Sequence, residues 1–92
     1  MKLTIEALRV MLPFLASTAA MLSGYDLSRR VGLANQTCYP LLHRLAKHGL
    51  LTAKTERANP NFNLRPARTL YQATPDGVAK AKATLSLLQV ST

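Results

Sequence analysis

Seven residues between positions 35 and 47 carry most of the polar chemistry in this sequence: Asn35, Gln36, Thr37, Tyr39, His43, Arg44 and Lys47. On a helix at 100° per residue, Gln36, His43 and Lys47 fall within about 40° of one another. Thr37 and Arg44 lie on one edge of that stripe, Asn35 and Tyr39 on the other. Asn and Gln side chains match the edge of adenine, Arg and Lys match guanine, and Thr or Tyr hydroxyls hold phosphate oxygens. An ordinary solvated helix face mixes both signs of charge, whereas this one carries no acid. The pattern points to recognition of duplex DNA. On the opposite side Cys38, Leu41, Leu42 and Leu45 span roughly 100°, the width of a core-facing stripe.

Bond-making chemistry finds little support. His43 has no nucleophile or carboxylate at a matching spacing, and His48, at a helix C-terminus, suits a dipole interaction. The single cysteine, Cys38, excludes an internal disulfide, and with two histidines it cannot complete a zinc site. It reads as a small core residue. The four acids are dispersed, and neither a GxGxxG nor a P-loop pattern occurs. No enzyme activity, cofactor or metal is expected.

Charge supports a polyanionic partner. The chain carries +8 overall, and its placement is uneven. Between residues 29 and 68 stand Arg29, Arg30, Arg44, Lys47, Lys54, Arg57, Arg65 and Arg68 against Glu56 alone, while the remainder is close to neutral. A cytoplasmic setting is expected from the lone cysteine. The apolar run from Val10 to Tyr25 contains Pro13, Ser17, Thr18 and Ser23, and is shorter than the roughly 20 residues that span a bilayer, so no membrane association is expected.

Ninety-two residues with 48% hydrophobic content suffice for one modest core, so 1–92 is read as a single domain. Thr4 caps a first helix that Pro13 bends or shortens. Ser23 and Asp26 form a capping box for a short second helix, which Gly32 stops. The third helix covers about 35–48 and ends at Gly49. Pro40 lies inside it: starting the helix at Pro40 would leave eight residues of turn and strip Asn35, Gln36 and Thr37 from the reading surface. "LLTAKTER" and "RTLYQAT" alternate as strands of a hairpin whose wing covers about 54–68. Thr74, Pro75 and Asp76 then open a last helix. The order is α-α-α-β-β-α, mainly α with a small β-hairpin. A turn of about three residues between the second and third helices is helix-turn-helix geometry, and the hairpin is a wing.

Four segments resemble the PadR-type winged-helix transcriptional regulators: "SGYDLSRRVGL", "TCYPLLHRLAKHGLL", "RPARTLYQAT" and "TPDGVA". The likeness as a whole extends over about residues 3 to 82, nearly the whole chain. The resemblance implies a dimeric DNA-binding repressor with its recognition helix in the major groove and its wing on the backbone or minor groove. By position it implies that Tyr39 binds phosphate, that Gln36 and Thr37 sit at the groove, and that Arg68 anchors the wing. The wing departs from the family in lacking glycines and in carrying Thr69 where a second basic residue is common. The chain also has little of the C-terminal dimerisation extension that many members carry.

In the last helix Val78, Ala81, Leu85 and Leu88 form one apolar stripe, and Ala79, Ala83, Leu87 and Val90 a second. One can close the core and the other can pair two copies, with the first stripe taken as the homodimer interface. A different reading is a winged-helix protein-interaction module, a phage or plasmid accessory factor whose basic face grips an acidic protein.

Overall fold

A computed structural model describes residues 1–56 and 68–89. The elements run α1 (Ile5–Ala16), β1 (Leu22–Ser23), α2 (Gly24–Val31), α3 (Asn35–Lys47), β2 (Leu51–Glu56), β3 (Arg68–Ala73) and α4 (Pro75–Gln89). Side chains set most helix starts. Thr4 Oγ1 accepts from the Ala7 N–H at 3.1 Å, and Ser23 Oγ accepts from the Asp26 N–H at 3.1 Å. Each satisfies one of the donors that a helix N-terminus leaves open. Gly32 ends α2 in the left-handed region at φ 72° and Gly49 follows α3 at φ 76°, a conformation that costs other residues roughly 1 kcal/mol or more.

α1 differs from the expectation in length. It runs through Pro13 to Ala16, so the proline does not shorten it and removes only the bond that its missing N–H would give. Its carbonyl still accepts from the Ser17 N–H at 3.2 Å. α3 begins at Asn35, as the turn-length argument requires, although its cap residue Ala34 offers no side-chain hydrogen bond.

The sheet holds one strand more than the sequence suggests, with order β1-β3-β2 and all pairs antiparallel. Leu22 and Ser23 face Tyr71 and Leu70, while β2 and β3 pair from Leu51 with Ala73 to Glu56 with Arg68. A two-residue strand has too few positions to show alternation, which is why its pattern is silent.

The core gathers Met11, Phe14, Leu27, Cys38, Leu42, Leu45, Leu51 and Tyr71 from α1, α2, α3 and the sheet, all essentially buried. On α4, Ala81 is fully buried in this core and Leu85 packs against it. The stripe expected to pair two copies is therefore turned, over these two residues, toward the chain's own interior. Val78 is half-buried, and Leu88 is 51% exposed beside Leu87 at 74%.

One junction fixes α4 to the end of α3. The Thr74 hydroxyl donates to the Gly49 carbonyl at 2.7 Å and accepts from the Gly77 N–H at 2.9 Å. The Thr74 N–H donates to the Leu50 carbonyl at 3.2 Å. Thr74→Val, similar in shape but unable to form either hydroxyl bond, is expected to lose about 1–2 kcal/mol of stability. Thermal unfolding checks this, and Thr74→Ser should recover most of the loss.

Candidate nucleic-acid interface

α3 presents the polar stripe to solvent. Asn35, Gln36, Thr37, Tyr39, His43, Arg44 and Lys47 are all exposed, while Cys38, Leu42 and Leu45 are buried and Leu41 lies half-buried at the boundary. Burial pushes the Cys38 thiol above its ordinary pKa, so it stays protonated and unreactive as a core group. The three residues Gly32, Leu33 and Ala34 form the turn that sets α3 against α2. Gly32 also takes part in closing α2, donating its N–H to Ser28, and the Leu33 N–H reaches the same carbonyl at 3.1 Å. From α1, the Arg9 guanidinium donates to the Val31 carbonyl, a cation placed at the negative end of the α2 dipole.

Two open grooves flank the exposed stripe. The first, about 420 Å³, lies between the start of α2, α3 and β3, and is lined by Ser23, Tyr25, Asp26, Tyr39, Arg68, Thr69 and Tyr71. Its hydroxyls and guanidinium suit a phosphate strand. The Tyr39 ring reaches it by lying across Gly24, so close that a Cβ at position 24 would overlap the ring. Tyr71 forms its floor. Burial raises the Tyr71 pKa most, with Cys38 and Tyr39 adding to the rise, so the phenol remains neutral. The second groove, about 350 Å³, lies between the start of α1 and α3 and is lined by Thr4, Glu6, Gln36, Thr37, Pro40, Leu41 and Arg44.

Tyr25 also lines the first groove, and the sequence reading passed over it. It is 54% exposed. Arg29 lies over its ring at 5.6 Å from the centroid and donates from Nη1 to its Oη at 3.0 Å. The two therefore act as one preorganised cation and hydroxyl beside the first groove. Their i, i+4 spacing was the available signal.

Lys54 is exposed on β2, and Arg68 is exposed at the start of β3. Arg57 and Arg65, the other wing residues expected to touch DNA, lie outside the described residues. Pro40 is exposed on α3 and has no N–H to give to the Gln36 carbonyl, so the first turn of α3 lacks one internal bond.

No protein-family model matches the chain, and no curated relative matches its sequence. Solved structures do match in shape. A transcriptional regulator homologue from Pyrococcus horikoshii OT3 superposes with a TM-score of 0.74 at 20% identity, over 92% of this chain and 77% of that one. BpsR of Bordetella bronchiseptica, whose DNA binding is regulated by 6-hydroxynicotinic acid, gives 0.76 at 20% identity over 96% and 61%. The fold is a winged helix. Bacillus subtilis PadR, solved with operator DNA, gives 0.69 at 20% identity over 89% of this chain and 47% of its own. Winged-helix transcriptional regulators of more than one kind thus share this architecture, PadR among them. The chain spans less than two thirds of both BpsR and PadR. No helix among the described residues is long and apolar enough to cross a membrane.

Proposed function

We propose that this winged helix is a sequence-specific regulator of transcription that binds duplex DNA, inserting α3 into the major groove and laying the wing on the backbone or minor groove. The observation that carries this reading is the exposed, acid-free face of α3, with Gln36, His43 and Lys47 at its centre and a groove along each flank. Gln36, Arg44 and Lys47 read base edges, and Thr37, Tyr39, Tyr25 and Lys54 hold phosphates. Two structural neighbours, MepR of Staphylococcus aureus and PadR, were solved with DNA, which supports the reading by analogy of fold. The PadR-type likeness of the Tyr39 to Leu45 segment favours a cytoplasmic repressor that occludes a promoter. Selection from a random duplex library, followed by gel shifts at moderate salt, tests it: one enriched sequence is expected. Equal affinity for all duplexes would remove specificity, and capture of an acidic protein that duplex DNA does not compete away would favour a protein-interaction module.

Pairing of two copies through α4 completes the proposal. Two exposed leucines at the end of one helix, Leu87 and Leu88, leave apolar surface that a two-fold contact buries, and two recognition helices then reach successive half-sites. Light scattering at tens of micromolar should give a dimer mass, and Leu87→Glu with Leu88→Glu should give a monomer. A wild-type monomer both alone and on DNA would overturn the pairing.

A further inference from the structure

The groove between α1 and α3 holds a cation and an anion that do not pair. Arg44 and Glu6 both line it, both are exposed, and no ion pair joins them. Glu6 stands where the helix favours a carboxylate: Thr4 caps α1 with its hydroxyl, and Glu6 follows in the first turn, at the positive end of the helix. Resting on the DNA-binding reading above, the geometry has a direct consequence: a helix in the major groove has one phosphate strand along each flank. On the α2 side that strand meets Tyr25, Tyr39 and Thr69, with Asp26 at the same groove. On the α1 side it meets Arg44 with a carboxylate beside it.

We infer that Glu6 is a discriminating residue of the recognition surface. Its charge repels the phosphate strand on the α1 flank and offsets the attraction of Arg44 for backbone. Arg44 then contributes chiefly where a guanine edge offers it two acceptors. Specificity is gained by weakening the wrong complexes more than the right one, a use of repulsion that costs some total affinity.

The test compares wild type with Glu6→Gln on the selected duplex and on a scrambled duplex of equal length, across a salt series. Asp76→Asn serves as control: it changes net charge equally in the first turn of α4 and lines neither groove. Glu6→Gln should bind the scrambled duplex about three- to tenfold more tightly at low salt, through faster association, with a steeper salt slope. The gain on the selected duplex should be smaller, so the ratio between them falls, while Asp76→Asn shifts both by less than about twofold. Glu6→Gln behaving like wild type or like Asp76→Asn would overturn the inference. So would weaker binding confined to sites with one C·G pair, which would make Glu6 a reader of the cytosine amino group. Wild type failing to bind any duplex at low salt would instead sink the DNA-binding reading and this inference with it.

Discussion

Gly77→Ala should lower stability by about 2–4 kcal/mol, although alanine inside a helix is normally worth roughly 1 kcal/mol over glycine. The reason is local and geometric. A Cβ at position 77 would overlap the carbonyl oxygen of Leu50 and crowd its carbonyl carbon at 2.8 Å. These are backbone atoms, and the same carbonyl accepts from the Thr74 N–H, so it cannot swing aside without breaking the junction that docks α4. Gly24 makes the contrast. There the obstacle is the ring of Tyr39, a partly exposed side chain that can move. Urea unfolding measures the effect as a lower midpoint with the slope retained. An unchanged midpoint would mean that α4 does not approach Leu50 this closely.

The second large effect concerns recognition. Gln36→Ala or Arg44→Ala should each weaken the selected sequence by about 1–3 kcal/mol and relax preference at one base position, because each removes a side chain able to make paired hydrogen bonds to one base. Lys54→Ala should weaken all duplexes alike and lower the salt slope by about one, the mark of a lost phosphate contact. Binding titrations on the selected and scrambled duplexes at several salt concentrations separate the two patterns. If Gln36→Ala and Arg44→Ala lowered affinity for both duplexes equally, the face of α3 would be a charge surface without readout.

Helix ends with a chemical signature were legible in the sequence: the capping hydroxyls of Thr4, Ser23 and Thr74, and the left-handed glycines at 32 and 49. The start of α3 was harder, since Ala34 has no capping group, and only the length of the preceding turn located it. The exposed stripe of α3 followed from a 100° periodicity that tertiary packing did not override. What the pattern could not convey depends on how elements meet. α4 shows two apolar stripes, and nothing in their spacing says that Ala81 turns inward while Leu87 stays in solvent. The two grooves beside α3 join residues as distant as Glu6 and Arg44, or Tyr25 and Arg68, and sequence periodicity is blind to such pairs. Strand β1 carries its meaning only in its register with Tyr71 and Leu70.

That small pairing has a consequence for assembly. Leu22 meets Tyr71 across 49 intervening steps of chain, and α2, α3 and β2 all lie inside the loop it closes. The helices and the β2–β3 hairpin are local and fast to form, whereas loop closure delays the pairing of β1 until β3 is in place. The floor of the groove beside α3 is therefore tied to the start of α2 by a long-range contact and not by the β2–β3 hairpin alone. That groove is a property of the complete cooperative unit, and no fragment ending before β3 forms it.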